Sequence, residues 1–211
     1  MPADRLHLVR HGEVHNPGGV LYGRLPHFHL SERGVEMAKT AAEAIKNLNR
    51  PVSKIVTSPL LRTQQSAEPI AEHLGLDPIT DQRLIEPYNV FEGRKLSARH
   101  VAVRPHLYVH LRNPNTPSWG ESYESIVTRM FEAMDDLAAE VESGDVVLVT
   151  HQLPIWMVHR KVNGAKLAHN PKHRRCGLSS ITSFEKRDGV WIEVDYLDPA
   201  AEAGAKDKGA V

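Results

Sequence analysis

The sequence predicts an α/β fold, a three-layer α/β/α sandwich with a mostly parallel central sheet and an antiparallel edge. Short apolar runs alternate with longer segments of helical periodicity, which is the pattern of strands joined by crossover helices. The run Asp145–Thr150, DVVLVT, is almost continuously apolar, as a parallel strand covered on both faces must be. Near the end, two strand-like segments are separated by KRDG, which reads as a hairpin.

In order, Leu6–Val9 is a short buried strand. Ser31 caps a helix that runs to about Asn49 on an apolar pattern of Val35, Met37, Ala38, Ala41, Ala42, Ile45 and Leu48, stopped by Pro51. Lys54–Thr57 is a second strand. A helix follows with Ser58 as N-cap, Pro59 at its first position and Gly75 beyond its end. Pro69 within it predicts a kink or a break. A short strand lies near Ile79. Residues 86–120 are interrupted by prolines at 87, 105, 114 and 117 and read as an irregular insertion over one end of the sheet. Ser122–Val141 is helical, with Ile126, Met130, Met134, Leu137 and Val141 on one stripe. After the Asp145–Thr150 strand, Leu153–Gly164 forms a helix. Ser179–Glu185 and Val190–Tyr196 form the hairpin. One domain, 1–198, is expected, followed by an Ala/Gly/Lys-rich tail, 199–211, read as disordered.

The chain has 211 residues, enough for one well-buried core, and its 26 basic side chains balance its 26 acidic ones. That balance argues against nucleic acid and membrane surfaces as partners. No stretch approaches a membrane span, and the N-terminus lacks a signal-peptide hydrophobic region, so a cytoplasmic location is expected. Cys176 is the one cysteine, which rules out an internal disulfide and argues against a cysteine-based zinc site. The pairs His106/His110 and His169/His173 have i, i+4 spacing, but nearby prolines 105 and 171 argue against helical metal sites. Trp119, Trp156 and Trp191 are candidates for the core or for a homodimer interface.

Chemistry is concentrated at three strand ends. The first run ends in Arg10-His11-Gly12, the second in SPLLRT with Arg62, and DVVLVT in His151. In open parallel sheets ligands bind beyond the carboxyl ends of strands. As neighbouring strands, these would gather two guanidiniums and two imidazoles into a cationic pocket suited to phosphate. A helix N-terminus after Ser58 would add backbone N–H groups. Crowding by cations disfavours imidazolium, leaving a histidine neutral and able to attack phosphorus.

The segments LVRHGEVHN, TSPLLRTQQSA, LIEPYNVFEG, PSWGESYESIVTRM and VVLVTHQLP, in this order over about residues 5–160, resemble the histidine phosphatase superfamily, which includes the cofactor-dependent phosphoglycerate mutases and many small phosphatases. The resemblance implies that His11 is the nucleophile that becomes phosphohistidine. Arg10 and Arg62 clamp the phosphoryl oxygens, and His151 is a further phosphate ligand, charged when substrate is bound. Glu86 is the acid that protonates the leaving oxygen, with Glu13, Glu92 and Glu121 as nearby alternatives. Asn16, Tyr22 and Gly23 fall in the substrate-facing first loop. No metal or other cofactor is implied, and the partner is a small phosphorylated molecule.

Two departures matter. Gln152 stands where the family usually has glycine, so its side chain must turn away or touch substrate. The segment after Glu86 lacks the long insertion with which the mutases exclude water. A phosphatase is therefore expected, with a phosphoglycerate mutase as the alternative and a non-catalytic phospho-ligand module as a third reading. Specificity is expected from residues 16–29 and 86–120, where Arg24, His27, His29, Arg94 and Arg104 would suit an acidic substrate or serve as solvated loop charges.

Overall fold

The computed structural model describes residues 3–95 and 120–204. Strands are β1 (Arg5–Arg10), β2 (Val52–Thr57), β3 (Ile79–Thr80), β4 (Asp145–Thr150), β5 (Ile181–Arg187) and β6 (Val190–Leu197). Helices are α1 (Glu32–Asn47), α2 (Leu61–Leu74), α3 (Tyr123–Ala139) and α4 (Gln152–Val162). The sheet order is β3-β2-β4-β1-β5-β6. β3, β2, β4 and β1 run parallel, while β5 and β6 are antiparallel to their neighbours. This is the α/β sandwich with an antiparallel edge that the alternating pattern predicts.

Alternation along the central strand builds the two outer layers. Val146 and Leu148 of β4 pack with Leu6 and Leu8 of β1 against α3 and α4. Val147 and Val149 point the other way, with Val9, against α1 and α2. A strand covered on both faces has no use for polar residues between its apolar ones, which is why DVVLVT reads as it does. The hairpin turn is Asp188-Gly189, with φ of 51° and 80°. Two positive φ values in a two-residue loop make the type I′ turn whose twist matches the strands.

Ser31 caps α1 through Oγ, which accepts from Gly34 N at 3.0 Å, and Ser122 caps α3 by accepting from Ser125 N. Several expectations need correction. Ser58 is not a helix cap: α2 begins at Leu61 with Leu60 as N-cap, because the Ser58 hydroxyl is engaged by His151 at 2.8 Å. Pro69 does not break α2, which runs unbroken to Leu74. Pro69 lies on its half-exposed side, where water can take the carbonyl that proline leaves unpaired. Val35 is exposed rather than part of the apolar face of α1. The tail is ordered at its start: Ala200 packs with Met37 and Leu178, and a 3-10 turn spans Ala201–Ala203. Residues 205–211 lie outside the described residues, as do 96–119, which hold Arg104, the His106/His110 pair, Trp119 and most of the expected insertion.

Trp156 and Trp191 are both buried in the α3/α4 core, and Trp191 Nε1 donates to Asp135 at 2.8 Å. At the amino end of the sheet, His7 and Asp145 are fully buried. His7 Nε2 donates to Asp145 Oδ2 at 2.9 Å, its Nδ1 meets Ser183 Oγ at 2.8 Å, and Arg50 forks onto both Asp145 oxygens at 2.6 and 2.9 Å. Burial pushes the Asp145 carboxyl up, but the hydrogen bonds from His7 and Arg50 outweigh it and hold the group below its ordinary range. Among the described residues, no helix is long and apolar enough to cross a membrane.

Candidate active site

The three strand ends meet. Arg10 closes β1, and His11 N continues the ladder by donating to Thr150 O of β4 at 3.1 Å. His151 follows β4 directly, with its ring centroid 5.2 Å from that of His11. Arg62 enters from the first turn of α2. Arg10, His11, Arg62 and His151 are all at most 2% exposed.

Side chains and backbone carbonyls fix each group. Arg10 Nη1 donates to Cys176 O at 2.7 Å, and Arg62 Nη2 donates to Gly23 O at 2.7 Å. The Arg62 guanidinium lies over the Tyr22 ring, 4.8 Å from its centroid, an arrangement that favours a planar cation. A carbonyl can only accept, so the 2.8 Å contact between His11 Nδ1 and Gly12 O places the proton on Nδ1 and leaves the Nε2 lone pair open. Burial, then Arg62 and Arg10, holds His11 well below its ordinary imidazole range. Burial likewise holds His151 down, with Arg62, His11, Arg129 and Arg10 adding to it. Both imidazoles are therefore biased towards the neutral form.

Glu86 is 5% exposed, and its Oε2 lies 3.5 Å from His151 Nδ1. Burial raises its carboxyl to about 7 against the opposing pull of Arg62, Arg174, Arg10 and Arg129. The segment bearing it is tied to the sheet by Thr150 Oγ1, which donates to Leu84 O at 2.6 Å, and by Arg24 Nε, which donates to Glu86 O. The alternative acids are engaged elsewhere: Glu13 with Ser31 and Arg33, Glu92 with the backbone of Arg24 and Asn89, and Glu121 with Arg129.

The remaining expected residues divide. Tyr22 and Gly23 adjoin Arg62, as above. Asn16 holds its own loop closed, donating to Val20 O at 2.8 Å and accepting from Val20 N at 3.2 Å. Gln152 accepts from Arg174 Nη1 at 3.1 Å and donates weakly to Cys176 O at 3.4 Å. His27 adopts φ 66°, and His29 stacks on His15, both at the rim of the first loop. His169 Nδ1 donates to Leu167 O and its Nε2 accepts from Arg174 Nε, and a 3-10 turn, not an α-helix, spans Pro171–His173.

Gly12 approaches the protein backbone closely: a Cβ here would strike Gly34 O in α1, and one on Gly34 would strike Glu13 O. Two contributors escaped the sequence reading. Ser58 orients His151, and Arg174 stands near Glu86. Because β5 is antiparallel, the residues just before it return to the carboxyl edge of the parallel strands, with Ser179 N donating to His11 O. The pair Arg174-Arg175 ahead of a strand is the signal that could have found this side of the site.

Residues 6–198 match the model of the histidine phosphatase superfamily, branch 1, and the chain belongs to that family of phosphatases and mutases. It is 44% identical over 203 residues to "Uncharacterized protein Rv0525" of Mycobacterium tuberculosis (95% of this chain, all of the relative). It is 28% identical to "Probable phosphoglycerate mutase GpmB" of Erwinia tasmaniensis (92% of this chain, 90% of the relative). Among solved structures, Bacillus stearothermophilus YhfR superposes with a TM-score of 0.75 at 23% identity (90% of this chain, 95% of that one), a likeness of fold.

Proposed function

We propose that this enzyme is a metal-independent phosphatase that hydrolyses a small phosphomonoester through a phosphohistidine on His11. The observation that carries this reading is the tautomer of His11: Nδ1–H donates to Gly12 O, which leaves the Nε2 lone pair as the nucleophile among buried guanidiniums.

Under this reading Arg10, Arg62 and His151 hold the three non-bridging oxygens. Nε2 attacks phosphorus in line, the P–O ester bond breaks, and Glu86 in its acid form gives its proton to the departing oxygen. A water then attacks the phosphohistidine, giving a proton to the Glu86 carboxylate, and inorganic phosphate leaves. A carboxyl near pH 7 suits both half-reactions, since it is present as acid and as base at comparable levels. Positioned positive charge is the main protein contribution to such transfers. The incoming phosphate dianion would favour the charged form of His151. The substrate is a small molecule and the compartment the cytoplasm.

The likeness to GpmB supports the second reading, a phosphoglycerate mutase. Incubation with p-nitrophenyl phosphate in EDTA tests the first. Wild type should release phosphate, and His11→Ala should lose on the order of a million-fold. Inactive wild type, or an active His11→Ala, overturns it. Interconversion of 3- and 2-phosphoglycerate with a bisphosphate primer would establish the mutase, and failure to trap acid-labile phosphohistidine would favour a non-catalytic module.

A further inference from the structure

One buried hydroxyl joins the loop of the nucleophile to the helix of the clamp. Ser66 lies one turn after Arg62 in α2 and is 2% exposed. Its Oγ donates to Arg62 O at 2.7 Å and accepts from Gly12 N at 3.1 Å. Both partners are backbone groups with one possible role each, so the single hydroxyl proton belongs to Arg62 O and a lone pair faces Gly12.

That lone pair completes the hold on one peptide unit, the one between His11 and Gly12. Its carbonyl, His11 O, accepts from Ser179 N at 3.2 Å. Its N–H is the group that Ser66 takes. Glycine permits wide backbone rotation, so the unit needs a partner at each end to stay in one orientation. The next carbonyl along is Gly12 O, which receives Nδ1–H of the His11 ring at 2.8 Å. Where Gly12 O points follows from how the unit before it is held.

The same hydroxyl refers the nucleophile to the clamp. Arg62 is fixed at its tip by Gly23 O, 2.7 Å from Nη2, and at its backbone it is tied through Ser66 to Gly12. A serine that bonds back to the carbonyl one turn earlier is common in helices and mildly unfavourable to them. In α2 that back-bond turns the oxygen towards the nucleophile's loop. In-line attack depends on such fixed geometry between reacting groups.

We propose that Ser66 is a positioning residue: by taking the Gly12 N–H it holds Gly12 O against Nδ1 of His11, and so keeps the attacking lone pair on Nε2 in register with Arg62. Its effect on turnover rests on the phosphatase reading, whereas its effect on the imidazole does not.

Nitrogen-15 spectra of the histidine side chains read the tautomer directly, with the His11 signals identified by their loss in His11→Ala. Wild type at neutral pH should carry the proton on Nδ1. Ser66→Ala leaves the buried Gly12 N–H without an acceptor, which drives the backbone to turn. Part of the His11 population should then move to the Nε2–H tautomer. Turnover of p-nitrophenyl phosphate should fall on the order of tenfold to a hundredfold in kcat, with KM changed by less than about threefold, because the groups that bind phosphate remain. Ser66→Thr, whose hydroxyl can make the same back-bond, should restore both readings. Ala71→Gly, later in α2, weakens the helix through propensity alone and should leave the His11 signals as in wild type. If wild type hydrolyses nothing, the phosphatase reading fails and the spectra decide the role of Ser66. Four results would overturn the proposal: Nε2–H in wild type, an unchanged tautomer in Ser66→Ala, an equal change in Ala71→Gly, or an active Ser66→Ala with wild-type kcat. Should Ser66→Ala not fold, Ser66→Cys decides by the same readings, since it keeps the volume but offers only a weak acceptor.

Discussion

The Glu86 carboxylate stands 3.5 Å from Nδ1 of His151, and this nitrogen is buried with no hydrogen-bond partner. The other ring nitrogen, Nε2, is taken by Ser58. A buried acid held near pH 7 and a neutral imidazole therefore face the same space, each available to a ligand.

Glu86→Gln should lower kcat/KM by about 100- to 10,000-fold for alkyl phosphates, the usual contribution of a general acid. Loss should be smaller for p-nitrophenyl phosphate, whose phenolate leaves without a proton. Steady-state kinetics on the two ester classes checks this, and equal losses on both would contradict the acid role.

The pH profile follows from the same group. In the proposed mechanism Glu86 is protonated for the first step, so kcat/KM should fall about tenfold per unit as pH rises above about 7. His11 is held well below its ordinary range and stays neutral across this interval. Glu86→Gln should flatten the alkaline limb.

Stability should also fall as pH rises, but over a lower interval. The folded Glu86 carboxyl lies at about 7 against an ordinary 4.5, so the unfolded chain ionises first as pH rises. Its stabilising contribution is complete below the unfolded value and is lost between about 4.5 and 7, by roughly 3 kcal/mol. Thermal unfolding should show wild type losing Tm from pH 5 to pH 8 relative to Glu86→Gln, which cannot ionise.

Gly12→Ala should destabilise the fold by about 1–3 kcal/mol, because the added Cβ meets the backbone of Gly34 and neither chain segment can give way cheaply. Urea unfolding measures the cost. Activity should fall as well, since Gly12 O sets the tautomer of His11.

Asp145→Ala should cost about 3–5 kcal/mol by leaving His7 and the Arg50 fork without their buried acceptor. Chemical denaturation checks it. Acid sensitivity follows too: the depressed carboxyl stabilises the fold above its unfolded value, near 3.9, and that contribution is lost as pH falls through the folded one.

Residues whose role depends on strand order were legible in the sequence, because alternation and apolar runs fix which ends share an edge. Arg10, His11, Arg62 and His151 meet for that reason. Ser58 was misread because capping propensity is local, whereas its hydroxyl is claimed by a histidine 93 positions away. The contact by which Asn16 also braces its own loop through Val20 is one that spacing from His11 does not reveal. Arg174 was missed because attention to parallel strand ends overlooks the return of an antiparallel strand to the same edge. The match over residues 6–198 extends the resemblance to this part of the chain.

Ser183, His7 and Asp145 form a hydroxyl–imidazole–carboxylate relay whose contacts, 2.8 and 2.9 Å, are those of a hydrolase triad. They lie at the far end of the sheet, at most 1% exposed, with Arg50 closing the carboxylate. A template search by interatomic distance alone would flag this trio as a second nucleophilic centre, yet no ester can reach it. The same three side chains that cut bonds when open to solvent here act as a polar rivet, and access rather than geometry separates the two.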